Sequence, residues 1–199
     1  MSRPDVPRVQ ARLVLPDGPV EVSCQAGQAV ALPSSRAARA LLGLDPGDRR
    51  AAGHRVRLDG RRLDRRHPAR RVAAGLAAVV DAPVAGDVSV HDHLAAVVPP
   101  ARAAGLLAGC PLLVGRGDDP AGVLSGGERR ALAWLLALAT DPRAVVLDGA
   151  TRGLDAATRA WADARVRGWR DAGVALLVHP TSPTELGWLD AEPEGPLAR

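Results

Sequence analysis

The chain has 199 residues, of which 47% are hydrophobic and 24% are charged, so it suits a single domain with a sizeable core and is not expected to be disordered. Its net charge of +4 comes from arginine, because the sequence contains no lysine, and its 22 acidic residues are interspersed among the 26 basic ones. A basic cluster occurs at residues 61–66 and extends to Arg70 and Arg71, but contact with nucleic acid or anionic lipid is a less favoured interpretation of it than an ordinary charged surface. With four tryptophans as the only aromatic residues, nucleic-acid binding is not expected.

The two cysteines, Cys24 and Cys110, are far apart and form no CxxC pair. The sequence therefore predicts neither a metal site built on cysteine nor a disulfide framework. Residues 1–5 lack the apolar core of a signal peptide, and no run of 18 apolar residues occurs. We expect a cytoplasmic protein with no membrane span of its own.

Short runs of Val and Leu between Gly and Pro residues predict the strands. The predicted strands are 12–15, 20–24, 29–32, 55–58, 76–80, 144–147 and 174–178. The last two are continuously apolar, as is typical of parallel strands covered on both faces. The predicted helices are 34–42, 90–98, 126–139 and 156–172. This alternation indicates an α/β fold, and the early strands separated by turns indicate a small antiparallel β-subdomain.

Residues 123–155 read VLSGGERRALAWLLALATDPRAVVLDGATRGLD. Residues 124–128, LSGGE, resemble the LSGGQ/E signature of ATP-binding-cassette (ABC) ATPases. Residues 145–148 resemble the Walker B strand of that family at its usual spacing, and residues 148–155 resemble its LDEPTSGLD stretch. Residues 176–179, which end in His179, resemble the strand that carries its switch histidine. These four motifs occur in the order and spacing of the family.

The resemblance extends more weakly over residues 12–190. Residues 75–94 are most similar to the Q-loop region of ATPases from branched-chain amino-acid importers. The resemblance implies an α/β fold of the P-loop NTPase-like ABC cassette type: a mostly parallel core sheet, an N-terminal antiparallel β-subdomain and a small helical subdomain that carries the signature. It implies one domain over 1–199, with 12–80 and 140–190 as core and β-subdomain and about 88–139 as the helical subdomain.

Ser125 precedes two glycines at the start of a predicted helix, where the backbone amides and the helix dipole attract anions. Glycines there would let a phosphate approach the backbone. The alternative is a capping box, because Ser125 and Glu128 have S-x-x-E spacing. A capping box explains Ser125 and Glu128 but does not require the two glycines between them.

The resemblance also implies roles for individual residues. Leu124, Ser125, Gly126, Gly127 and Glu128 would contact ATP held by an opposite subunit, and Asp155 would lie in the loop that contacts that subunit. Asp148 would help to hold Mg²⁺, and His179 would reach the γ-phosphate as a switch histidine. Each polar residue at a strand or helix end also has a structural interpretation: Asp148 and Asp155 as caps and His179 as a buried structural residue.

The chain departs from the family where the family binds its own nucleotide. A P-loop has the pattern G-x-x-x-x-G-K-[ST], but only Pro-Ser-Ser-Arg at 33–36 follows Leu32, and no lysine exists. Gly149 stands at the position of the catalytic glutamate, and Asp81 at that of the Q-loop glutamine. Catalysis by this chain alone is therefore expected to be impaired.

The leading hypothesis is a non-hydrolysing ABC subunit at the inner face of the cell membrane. It would pair with a second, intact ABC ATPase and a transmembrane permease, and ATP and Mg²⁺ would be held mainly by the partner ATPase. Three alternatives stay open. These are a regulatory or adaptor module without nucleotide, a decaying gene product, and an ATPase with an unorthodox phosphate loop built from Ser34, Ser35 and a helix N-terminus.

Overall fold

The computed structural model describes residues 8–44, 53–64, 66–81 and 84–191. The strands within these residues are β1 (Val9–Leu15), β2 (Gly18–Cys24), β3 (Ala29–Ala31), β4 (Arg55–Leu58), β5 (Arg61–Arg62), β6 (Leu76–Val79), β7 (Ala144–Asp148) and β8 (Ala175–His179). The helices are α1 (Ser35–Leu42), α2 (Pro68–Ala73), α3 (Val90–Ala95), α4 (Pro100–Ala108), α5 (Gly126–Ala139), α6 (Ala156–Asp171) and α7 (Pro183–Leu186). A 3₁₀ turn at Ala121–Val123 precedes α5.

The strands form two sheets of four. One is antiparallel in the order β2-β1-β4-β5, and the other is parallel in the order β3-β8-β7-β6. The predicted α/β fold, with an antiparallel sheet near the N-terminus and a parallel core sheet, is thus confirmed. The extent of the helical subdomain, about 88–139, stays a prediction.

Two cores lie on opposite faces of the parallel sheet. In β7, Val145 and Leu147 pack with the helices α3 to α6, whereas Ala144 and Val146 pack with α1 and the antiparallel sheet. Successive side chains of a strand point to opposite faces, so a continuously apolar strand serves both cores. Among the described residues, no helix combines the length and apolarity needed to cross a membrane.

The predicted element ends differ from the structure by up to three residues. The helix predicted over 90–98 ends at Ala95. Helices usually end at or before the residue that precedes a proline, and Pro99 and Pro100 follow shortly after this helix. No bounds were predicted for α2, α4 or α7, each of which is short and has proline in its first turn.

Arg71 does not belong to an exposed basic cluster. It is 4% exposed, and its guanidinium donates to the carbonyl oxygens of Ala40 at 3.1 Å, Asp64 at 3.0 Å and Arg66 at 3.2 Å. Because the C-terminal carbonyls of a helix lack partners within the helix, Arg71 supplies hydrogen bonds to the end of α1. Arg71 is therefore not part of an exposed surface that would contact nucleic acid or anionic lipid, an interpretation that the sequence did not favour.

Candidate functional site

The junction between β3 and α1 has only three residues, Leu32, Pro33 and Ser34. Ser34 caps α1: its side chain accepts a hydrogen bond from the Ala37 amide and its carbonyl accepts one from the Ala38 amide, both at 3.2 Å. A P-loop wraps phosphate with several free backbone amides. This junction is too short to wrap a phosphate, and its cap already uses the Ala37 amide.

Asp148 and His179 lie side by side at the carboxyl ends of the neighbouring strands β7 and β8. Nδ1 of His179 is 2.8 Å from Oδ1 of Asp148, and Oγ of Ser35 donates to Oδ2 of Asp148 at 2.5 Å. The side chains of Asp148 and His179 are 13% and 12% exposed. Sequence reasoning assigned Asp148 and His179 to one site, and the structure brings them together with Ser35, the first residue of α1.

The pKa of Asp148 lies below its ordinary value. Burial raises this pKa, but the hydrogen bonds from His179 and Ser35 and the electrostatic effects of His179 and Arg130 lower it by more. Because an ionised carboxylate can only accept hydrogen bonds, His179 Nδ1 is the donor to Asp148.

Neighbouring side chains leave little room for a side chain at Gly149. Its φ is +53°, and a Cβ built on it would lie 3.2 Å from Oγ1 of Thr181 and 3.3 Å from Nη2 of Arg152. A side chain at this position would be strained and would have to displace both neighbours. The guanidinium of Arg152, a cation, thus lies beside the position at which the resemblance to ABC ATPases places a glutamate.

Glu185, in α7, was missed by sequence reasoning. It is fully buried, and its two oxygens accept hydrogen bonds from the amides and hydroxyls of Thr151 and Thr181 at 2.5–3.1 Å. It therefore ties the segment after β7 to the segment after β8. The spacing of Ser182 and Glu185, S-x-x-E, is a capping signal that could have indicated α7.

The signature residues form a complete capping box at the start of α5. Oγ of Ser125 accepts from the Glu128 amide at 3.3 Å, and Glu128 accepts from the Ser125 amide at 2.7 Å. Arg116 also contacts the Glu128 carboxylate, and Leu124 is buried. The pKa of Glu128 is lowered by the Ser125 amide, against a smaller opposing effect of burial.

Gly126 and Gly127 differ in their surroundings. A Cβ on Gly127 would lie 2.2 Å from the carbonyl oxygen of Gly153, so this glycine is required by close packing within the chain. A Cβ on Gly126 would have no neighbour within 4 Å. Packing within the described residues therefore accounts for Gly127 but not for Gly126.

Asp155 is the N-cap of α6, because its side chain accepts from the Thr158 amide at 2.7 Å. This hydrogen bond is the main reason that the pKa of Asp155 is lowered.

The predicted site residues form two groups. Asp148 and His179 form one group with Ser35, whereas residues 124–128 form the other beside Gly153, two residues before Asp155.

The residues around Asp148 do not fit a resident Mg²⁺-nucleotide. Magnesium in nucleotide sites is held by one or two carboxylates together with phosphate oxygens and water. Both oxygens of Asp148 are already hydrogen-bonded, to His179 and Ser35, and the neighbouring junction does not wrap phosphate. Among the described residues, no group of three or more His, Cys, Asp and Glu side chains could hold a metal ion.

The architecture is similar to solved ATP-binding cassettes. A nucleotide-free ATP-binding cassette from an ABC transporter matches with a TM-score of 0.71 and 17% identity, over 92% of this chain and 85% of that one. The ADP conformation of MJ1267, an ATP-binding cassette of an ABC transporter, matches over the same shares with a TM-score of 0.65 and 15% identity. An ATP-binding subunit of an ABC transporter matches with a TM-score of 0.67 and 16% identity, over 85% of this chain and 78% of that one.

In sequence, the chain is similar to the ribose import ATP-binding protein RbsA 1 of Mesorhizobium japonicum, with 36% identity over 69 residues. That match spans 35% of this chain and 13% of the relative. No model of a known protein family matches the chain. The chain therefore has the fold of the ATP-binding cassettes of ABC transporters, and the resemblance of its motifs to that class is confirmed at the level of the fold. The similarity to branched-chain importers in particular stays a prediction.

Proposed function

We propose that the chain is a non-hydrolysing cassette that supplies its LSGGE signature to ATP bound by a partner ABC ATPase. In this proposal the pair couples ATP binding and hydrolysis to transport through a transmembrane permease, at the inner face of the cell membrane. ATP and Mg²⁺ are held mainly by the partner, and Ser125, Gly126 and the amides at the start of α5 face its phosphates.

The observation that carries the proposal is the contrast between the two groups of site residues. The group around Asp148 is closed by its own hydrogen bonds and lies next to a three-residue junction. The signature group is intact, and its exposed Gly126 leaves open space at the N-terminus of a 14-residue helix. Such a helix start attracts phosphate through its free amides and its dipole.

The unorthodox phosphate loop is the less favoured alternative. It would need Ser34 and Ser35, but Ser34 caps α1 and Ser35 donates to Asp148. Arg36 and Arg39 are exposed on α1.

The test is to purify the tagged chain from membranes of its own host and to measure the ATPase activity of the cassette ATPase that accompanies it. Gly126→Asp places a negative charge at the open helix start, where it favours the helix but repels phosphate. We expect this variant to keep the complex and to reduce ATP hydrolysis at least tenfold. Gly168→Asp is the matched control, because Gly168 is an exposed helical glycine of α6 with no atom within 4 Å of a built Cβ.

Unchanged hydrolysis in a complex that contains Gly126→Asp would overturn the proposal. Recovery of the chain without any accompanying ATPase would also count against it. An adaptor that does not use the signature would tolerate both Gly126→Asp and Gly168→Asp.

A further inference from the structure

A cavity of about 460 Å³ lies beside α5, between this helix, the carboxyl end of β6, α2 and the end of α1. Its walls are mostly apolar, and they include Leu42, Val72, Val80, Val84, Ala133 and Leu136. Val72 and Val97 at this cavity are 38% and 46% exposed. The volume lies within the range of sites for small organic ligands.

A buried cation lines this apolar cavity. Arg130 of α5 is 7% exposed, and its guanidinium makes a single hydrogen bond within the described residues, from Nη1 to the carbonyl oxygen of Asp148 at 3.4 Å. An arginine carries five N–H donors and stays charged, so most of its hydrogen-bonding capacity is unused. Donors of a guanidinium that have no protein partner favour an anion that can reach them through the cavity.

Among the described residues, the lining of the cavity carries more positive than negative charge. Arg129 and Arg152 also line the cavity, and Asp81 is the acidic residue in its lining. Burial lowers the pKa of Arg130 most, the carboxylates of Asp81, Asp148 and Glu185 act in the opposite direction, and Arg152 lowers it further. Asp148 is engaged with Ser35 and His179, so it does not neutralise Arg130 fully.

We propose that this cavity binds a small amphipathic organic anion, with its apolar body between α5, α2 and β6 and its acidic group paired with Arg130. A carboxylate or a phosphate monoester would satisfy the planar donors of a guanidinium. The cavity also reaches Gly126 and Gly127 of the signature, but the residues that the proposal uses, Arg130 and Ala133, lie further along α5.

The test is a calorimetric titration of the purified full chain with decanoate, with decyl phosphate, and with the uncharged control decanol. We expect decanoate or decyl phosphate to bind at one site per chain, and decanol to bind at least tenfold more weakly. Whichever of the two anions binds more tightly identifies the acidic group that the site prefers.

Two variants locate the site. Arg130→Met removes the charge with similar side-chain length and is expected to weaken binding of the anion at least tenfold. Ala133→Phe fills the apolar part of the cavity, leaves every charge in place, and is expected to weaken binding of both decanoate and decanol. Arg167→Met, on the exposed face of α6, is the control and should bind like the unchanged chain.

Absence of saturable binding by both anions up to 1 mM would overturn the proposal. Equal affinity for decanol and decanoate would also overturn it, and would indicate an apolar groove suited to an amphipathic helix of another protein. If Arg130→Met does not fold, Ala133→Phe still decides whether binding occurs in this cavity.

Discussion

Gly126 and Gly127 are adjacent in the sequence, but only one of them is required by packing within the chain. Alanine at 127 would force the Gly153 carbonyl away from α5, whereas alanine at 126 would meet no atom. We expect Gly127→Ala to lower the free energy of unfolding by about 1–3 kcal/mol, as overpacking does. Gly126→Ala should leave it unchanged or raise it by up to about 1 kcal/mol, because alanine favours helix.

Chemical denaturation followed by tryptophan fluorescence measures both effects. The four tryptophans form one cluster, in which Trp134 stacks on Trp169 and meets Trp161 and Trp188 edge to face. Unfolding disperses this cluster and so changes its fluorescence. Equal destabilisation by the two alanine variants would contradict the assignment of Gly126 as free of packing constraints.

Among the secondary-structure elements, three are linked by the Asp148 carboxylate. It accepts hydrogen bonds from Ser35 of α1 and His179 of β8, and Asp148 is the last residue of β7. These hydrogen bonds thus hold the start of α1 against the ends of both strands without any nucleotide. In the proposed function, they replace the contacts that a bound nucleotide would make.

The pH dependence of the free energy of unfolding tests the contribution of the hydrogen bonds to the Asp148 carboxylate. A carboxyl group whose folded pKa is depressed stabilises the fold at pH values above its unfolded pKa of about 3.9, and this stability is lost as the pH falls through the folded pKa. We expect Asp148→Asn to lower the free energy of unfolding at pH 7, and the difference from the unchanged chain to shrink between pH 4 and pH 2. Urea denaturation across this pH range measures the difference.

Asp87→Asn is the control for that series, because Asp87 is exposed and makes no ion pair with the described residues. It should differ little from the unchanged chain at any pH. A destabilisation by Asp148→Asn that stayed the same from pH 7 to pH 2 would contradict the role given to the ionised carboxylate.

At the scale of the whole molecule, the sequence predicted the elements that local pattern determines. The runs at 144–147 and 174–178 are strands because both faces are buried, and residues 126–139 are a helix with a capping box at Ser125. The short helices α2 and α7 were not predicted, because four to six residues hold too little periodicity to identify a helix.

The predicted site was incomplete for a different reason. The order of the motifs assigned Asp148 and His179 to one site. It could not show that Ser35 donates a hydrogen bond to the second carboxylate oxygen of Asp148, because the two residues are 113 positions apart in the sequence. Nor could it show that Arg130 lines a cavity or that Glu185 is buried under Thr151 and Thr181. These contacts depend on how the elements pack, which the spacing of residues along the chain does not specify.

In the proposed function, the nucleotide contacted by this cassette is bound by a partner, so the chain alone should not bind it. We would titrate the purified chain with Mg-ATP by calorimetry, beside an intact cassette ATPase as a positive control. We expect no saturable heat up to about 1 mM ATP, which corresponds to a binding free energy weaker than about −4 kcal/mol. Micromolar binding would contradict it, and would mean that the residues around Ser34 and Ser35 hold phosphate after all.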